Sequence, residues 1–173
     1  MKIRLAKDDD IKSIAKIHIN NWKNTYRGSF PSDYLDGLKY NDAEKEWMKY
    51  LEQEDAFIYL AVSEENIIFG FAACKMNTET PCSSKLDSLH VNELNRGQGI
   101  AKQLILAIAK HFQARQINSM TLWAVETNEH AISIYKHLGA KIYNHEIRHF
   151  DWVKVRQVGL IWNDISCLCK KMG

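Results

Sequence analysis

The stretch Leu89-His-Val-Asn-Glu-Leu-Asn-Arg-Gly-Gln-Gly-Ile-Ala101 decides how this chain folds. Leu89–Val91 reads as the close of a strand. Ile100 then opens a run that brings Leu104, Ile105, Ile108 and Phe112 onto one helical face. Between the two the backbone must turn sharply, and Gly97 and Gly99 carry no Cβ to hinder the turn or the approach of a ligand. The first N–H groups of a helix lack partners within it, and the helix dipole adds partial positive charge at the same end. Arg96–Ala101 therefore reads as a cradle for phosphate or pyrophosphate, with Arg96 offering charge-assisted hydrogen bonds. The plainer alternative is an ordinary strand-to-helix turn in which the glycines serve geometry alone. A P-loop is excluded, because Gly-x-x-x-x-Gly-Lys-Ser/Thr is absent. A Rossmann site is disfavoured too: there is no full Gly-x-Gly-x-x-Gly, and this strand is not the first of a βαβ series.

Working outward from this turn, the patterns alternate between strand and helix. Lys2–Ala6 alternates polar and apolar residues and predicts a first strand. Asp8–Asp10 offers capping oxygens to a helix that carries Ile11, Ile14, Ala15, Ile17 and His18 and runs to about Trp22. Ser32–Leu38 fits one short helical turn, and Glu44–Leu51 a helix with Trp47, Met48 and Leu51 on one face. Phe57–Val62 and Ile67–Met76 form a hairpin around a Glu64–Asn66 turn, followed by a strand at Leu86–Val91. Beyond the Ile100–Arg115 helix come a strand at Met120–Val125 and a helix at Glu129–Leu138 closed by Gly139. Lys141–Phe150 and Lys154–Trp162 make a last hairpin, and Asn163–Lys171 a short helix capped by Asn163 or Asp164. A central βαβα run set among antiparallel hairpins predicts an α/β (α+β) domain. Its core is a mixed sheet of about seven strands with helices on both faces. No repeat or second core interrupts residues 1–173, so one domain is expected.

Composition narrows the partners. A 173-residue chain can bury a core without disulfide or metal staples. A formal net charge of +2 gives no basic footprint for nucleic acid. Cys74, Cys82, Cys167 and Cys169 lack metal or redox spacing, so no metal is expected. No apolar run reaches the roughly 18 residues of a membrane span, and Met1–Lys7 does not resemble a signal peptide. Free thiols without an export signal point to the cytoplasm.

The hexad Arg96–Ala101 resembles the Gln/Arg-x-x-Gly-x-Gly/Ala motif of the Gcn5-related N-acetyltransferase (GNAT) family. Leu89–Val91 resembles the strand that precedes that motif. Asn128-Glu-His-Ala-Ile-Ser-Ile-Tyr-Lys-His-Leu-Gly-Ala140 resembles the family's second signature, in which an Asn is followed seven residues later by Tyr and then by Gly. The element order matches along nearly the whole chain, and Trp22–Leu38 resembles the substrate-side helices of bacterial members. The resemblance implies an acyl-CoA N-acyltransferase fold with acetyl-CoA as co-substrate. Pantetheine would lie between splayed strands, bonded by backbone groups of Leu89 and Val91. A bulge near His90 would free an N–H for the thioester oxygen. Arg96, Gly97, Gln98, Gly99, Ile100 and Ala101 would hold the pyrophosphate, and Asn128 the pantetheine arm, unless Asn128 is only a helix cap. Tyr135 would protonate the departing thiolate; its alternative is core packing with Ala131, Ile132 and Leu138.

Asp87 stands near the place where many members carry a general base, with His90 and Glu126 as further candidates. Trp22, Tyr26 and Tyr34 are candidates to wall the acceptor pocket, whereas Trp47 fits the core. The acidic run Asp42–Asp55 is interleaved with Lys45 and Lys49 and reads as a solvated face. The expected reaction is direct acetyl transfer to an amine-bearing acceptor in a ternary complex. Two rivals share the same turn: a CoA-binding regulatory protein without turnover, and a nucleotide-binding module. An open edge in the last hairpin would permit a homodimer.

Overall fold

The computed structural model describes residues 1–76 and 84–172, so the Cys82 thiol lies outside the described residues. The strands are β1 (Lys2–Leu5), β2 (Ala56–Val62), β3 (Ile68–Met76), β4 (Ser84–Val91), β5 (Met120–Val125), β6 (Lys141–Phe150) and β7 (Val153–Trp162). The helices are α1 (Ile11–Thr25), α2 (Ser32–Gly37), α3 (Tyr40–Leu51), α4 (Ile100–Gln113), α5 (Glu129–His137) and α6 (Ser166–Met172). The seven strands form one sheet in the order β1-β2-β3-β4-β5-β7-β6. Only the β4–β5 pair is parallel, the crossover between them being α4. A parallel pair cannot be joined by a hairpin, so an amphipathic helix falls where the topology needs a crossover.

Each face of the sheet is covered by a helix that supplies the expected apolar stripe. Ile100, Leu104, Ile105, Ile108 and Phe112 of α4 pack on Ala72, Leu86, Leu122 and Leu160. On the opposite face Ile11, Ile14 and Ile17 of α1 and Trp47 of α3 cover Ile58, Leu60 and Phe71. Burying each such side chain fully contributes roughly 1.5–3 kcal/mol before conformational entropy is charged against it. A third cluster, Phe30, Leu35, Val125, Val153 and Val155, ties α2 to the ends of β5 and β7.

The elements differ from the sequence reading mainly at their ends. Asp8–Asp10 is a short 3-10 turn, and Asp10 makes no side-chain cap to α1. Its carboxylate instead takes two hydrogen bonds from Arg4, at 2.7 and 2.8 Å, and one from the Lys7 N–H at 2.8 Å. The bidentate guanidinium outcompetes a cap and holds the Asp10 carboxyl below its ordinary range. Helix α1 runs one turn past Trp22, to Thr25, and α3 starts at Tyr40 rather than Glu44. The last helix starts at Ser166; Asp164 caps it by accepting from the Ser166 N–H and Oγ, both at 2.8 Å.

One irregularity shapes the site. The β3–β4 register steps from Cys74↔Leu86 to Ala73↔Ser88, leaving Asp87 as the extra residue of a bulge. The bulge expected near His90 is thus three residues earlier. Pairing of β4 with β5 covers only Lys85↔Thr121 and Leu86↔Leu122 and stops where the bulge begins. Beyond it, β4 continues along β3 to Val91, and β5 along β7 to Val125. A bulge bends its strand and increases its twist. The sheet therefore opens into a cleft between Ser88–Val91 and Trp123–Val125, with the glycine turn following Val91.

Candidate active site

The mouth of the cleft is closed by the turn that the sequence singled out. A short 3-10 turn over Glu93–Asn95 leads to Gly97 at φ 76° and Gly99 at φ 75°. Both are left-handed, a region that costs an L side chain about 1–2 kcal/mol. A Cβ on either glycine would meet nothing within 4 Å. Backbone conformation, not crowding, is what demands glycine here, and the space in front of the turn stays free for a ligand. Gly99 is the N-cap of α4 and supplies no side chain to it. The first intrahelical bond runs from the Gln103 N–H to the Gly99 carbonyl at 3.1 Å. The N–H groups before it have no acceptor in the helix, and this end of α4 suits an anion.

Arg96 sits differently from the sequence expectation. Its Nη2 donates to Asn21 Oδ1 at 3.1 Å, and its Nε lies 3.5 Å from the Val91 carbonyl. Asn21 Nδ2 donates to that same carbonyl at 3.0 Å. Asn21 was not found by motif reading. Its signal was present, since it falls four residues after Ile17 and seven after Ile14, on the buried stripe of α1. A polar residue on such a stripe needs partners.

On the other side of the cleft, Asn128 caps α5, its Oδ1 accepting from the Ala131 N–H at 3.3 Å. The nearby Asn128 side chain partly offsets the upward push of burial on the Tyr26 phenol. Tyr135 packs edge-on against Trp162, with ring centroids 6.0 Å apart and an interplanar angle of 89°. Burial, and then the nearby Tyr26, push the Tyr135 hydroxyl well above its ordinary range. Burial thus favours its protonated form, the form that can donate. Packing and proton donation are both compatible with this placement.

The base candidates fare less evenly. The bulge turns Asp87 to the α3 face, away from the face that Leu89 and Val91 share with α4. There its carboxylate accepts from Tyr50 Oη at 2.9 Å and pairs with Lys85 Nζ at 2.8 Å and Lys75 Nζ at 4.0 Å. Glu126, just past β5, pairs with Arg156 Nε at 3.1 Å and lies 3.7 Å from His145 Nδ1. His90 points into the α1 interface, its ring 5.2 Å from both His18 and Phe71. Burial, then the neighbouring His18 and Arg96, push it well below its ordinary range. His18 Nδ1 accepts from Trp47 Nε1 at 3.0 Å, and burial lowers its pKa to about 4. Both rings are neutral at physiological pH.

Aromatic residues of α1, the segment after it, α2 and the last hairpin cluster beside Val125 at the end of β5. Trp22 meets Tyr26 at 5.0 Å, Phe30 at 5.4 Å and Phe150 at 5.3 Å, and Tyr34 meets Trp152 at 6.1 Å. Phe150 and Trp152 were not singled out individually from the sequence, because the hairpin's approach to α2 is a tertiary fact. Trp47 is core, as its spacing suggested. A separate groove of about 430 Å³ between α4 and α5 is lined by Lys102, Ile105, His130, Ser133 and Ile134. Among the described residues no helix is long and apolar enough to cross a membrane.

A parallel strand pair that parts beside a glycine turn is an arrangement found in one family of acyltransferases. The model of the acetyltransferase (GNAT) family matches residues 19–140, and the chain belongs to that family. It is similar to the uncharacterized N-acetyltransferase YuaI of Bacillus subtilis (strain 168), with 29% identity over 168 residues, covering 96% of this chain and 95% of that protein. Among solved structures it resembles smu.2055 from Streptococcus mutans UA159, at a TM-score of 0.72 and 17% identity over 95% of this chain and 99% of that one. The PaiA N-acetyltransferase from Thermoplasma acidophilum, solved in complex with coenzyme A, superposes at a TM-score of 0.70 and 19% identity, covering 91% and 98% of the two chains. At these identities the two structures establish the fold.

Proposed function

We propose that the protein transfers the acetyl group of acetyl-CoA directly to a primary amine of a small molecule, peptide or protein. The observation that carries this reading is the parting of two strands at the Asp87 bulge, with the left-handed Gly97 and Gly99 in the turn that follows. In this reading the N–H groups of Gly97–Ala101 hold the pyrophosphate, and Asn128 and the strand edge Leu89–Val91 hold pantetheine. An N–H of that edge steadies the thioester oxygen as the amine attacks, and Tyr135 protonates the sulfur as the C–S bond breaks. No step calls on a metal.

Asp87, the base expected from the sequence, is given a different part. Its carboxylate is already paired with Lys85 and bonded by Tyr50, on the face of the sheet away from Leu89 and Val91. With Glu126 paired and both histidines held neutral by burial, the reading that fits is entry of the acceptor as free amine, its proton lost to water. The pH at which kcat/KM levels off should then follow the acceptor's own pKa. A single fixed inflection near neutrality for amines of different pKa would restore a protein base.

The direct test is acetyl-CoA turnover with a panel of primary amines, read by thiol release. Tyr135→Phe should lower kcat about a hundredfold while leaving the acetyl-CoA dissociation constant unchanged. Full turnover in that variant removes the acid role. Tight acetyl-CoA binding with no turnover across the panel would favour the regulatory alternative.

Two lesser readings accompany this one. Cys74, Cys167 and Cys169 are free thiols, in keeping with a reducing compartment such as the cytoplasm. The outer strand β6 is exposed at most positions, and Ile147 is 64% exposed. Antiparallel pairing of β6 with a second copy about Ile147 would set Glu146 opposite Arg148 on both sides of the dyad. Glu146→Arg should then give a monomer in sedimentation, and adding Arg148→Glu should restore the dimer.

A further inference from the structure

Helix α1 is fastened to the glycine turn by polar groups in a single turn of helix. Asn21, only 6% exposed, donates from Nδ2 to the Val91 carbonyl at 3.0 Å and accepts at Oδ1 from Arg96 Nη2 at 3.1 Å. Three residues on, Asn24 Nδ2 donates to Glu93 Oε2 at 2.9 Å. These contacts grip the start, middle and end of the segment that joins β4 to α4. A carboxamide has one end that only donates and one that only accepts. The carbonyl of Val91 needs a donor and the guanidinium of Arg96 needs an acceptor, so only one orientation of Asn21 satisfies both. Asn21 thus sets the distance and direction between the last residue of β4 and the first residue of the Arg96–Ala101 hexad.

We propose that Asn21 is a positioning residue for coenzyme binding. It locks Val91 and Arg96 so that the N–H groups of residues 97–101 converge on the pyrophosphate before the coenzyme arrives. The proposal rests on the acetyltransferase reading for the identity of the ligand, but not for the clamp. Preorganisation of this kind raises affinity by removing an ordering cost, and it acts without a contact between Asn21 and the ligand. Because Trp22 follows on the same helix and Tyr26 closes it, the clamp also ties these aromatic side chains to the donor turn. Arg96 then serves chiefly as the far arm of this clamp, with its charge held beneath the turn.

A double-mutant cycle on the full chain tests this. Asn21→Ala and Arg96→Ala should each weaken acetyl-CoA binding about tenfold by calorimetry, and the double variant should bind within about twofold of the weaker single. The loss in Asn21→Ala should fall mainly on KM for acetyl-CoA, with kcat at saturating acetyl-CoA changing less than the affinity does. Amide hydrogen exchange across residues 91–101 of the ligand-free protein should speed up in both single variants. Should Asn21→Ala fail to fold, Asn21→Ser removes the same two-ended amide with less loss of volume. Binding of the Asn21 variant within twofold of wild type, losses that multiply in the double variant, or unchanged exchange would each overturn the clamp. If wild type does not bind acetyl-CoA yet exchange still quickens in the variants, the functional reading falls and the clamp stands.

Discussion

The two sides of the cleft are built on different principles. The donor side, Leu89–Ala101, is made almost wholly of backbone: strand edge, two left-handed glycines and the exposed N–H groups of α4. In the proposed reading the acceptor side is made of side chains, with Trp22, Tyr26, Phe30, Tyr34, Phe150 and Trp152 drawn from α1, the segment after it, α2 and the last hairpin. Backbone presents the same N–H groups whatever residue carries them, which suits a fixed ligand such as the coenzyme. Side chains can be exchanged one at a time, which suits an acceptor that differs from one family member to another. In the proposed reading, the donor side would carry family membership and the acceptor side substrate choice.

The largest effect that would sharpen this contrast is expected on the donor side. Gly99→Val places a β-branched residue at φ 75°, and the turn must shift to relieve it. Acetyl-CoA affinity should fall about a thousandfold while far-UV circular dichroism stays native. Near-wild-type binding would mean that the anion is not held by this turn.

A second test addresses the buried seam between the two sides, where His18 lies against His90 and Trp47. Burial lowers the His18 pKa to about 4, below the 6.5 or so of the unfolded chain. Above pH 6.5 both states are neutral and stability is complete. Between pH 6.5 and 4 only the unfolded state takes up the proton, so stability falls with pH across that window, by about 3 kcal/mol in total. His90 shifts in the same direction. Urea melts as a function of pH should show this slope, and His18→Gln should flatten it. A flat profile in wild type would mean the seam is hydrated.

The smallest effect is expected at the hairpin tip. Trp152 is 62% exposed and meets Tyr34 edge-on. Trp152→Ala should raise KM for a bulky amine acceptor about tenfold with stability and acetyl-CoA affinity untouched. A change in both constants would break the separation into two sides.

The strength of the local signals explains what could be read in advance. Gly97, Gly99, Asn128 and Gly139 announced turns and caps because each answers a backbone demand within a few residues. The stripe of α4 announced a crossover helix because its period is local. Asp87 was harder to place for the opposite reason. Counted back from Leu89 and Val91, strict alternation would turn it toward α4, but the bulge against Ala73 and Cys74 breaks that count and Asp87 faces Tyr50. Asn21 escaped notice because its partners, Val91 and Arg96, lie about seventy residues away.

By itself the sequence determined the strand and helix inventory, the glycine turn and the family, since periodicity, backbone φ and short motifs are properties of neighbouring residues. Tertiary structure alone decided where the sheet opens, which carboxylates are already paired, what Arg96 grips and which aromatic side chains wall the cleft. Those depend on contacts between residues far apart in the chain, and no local pattern carries their distances.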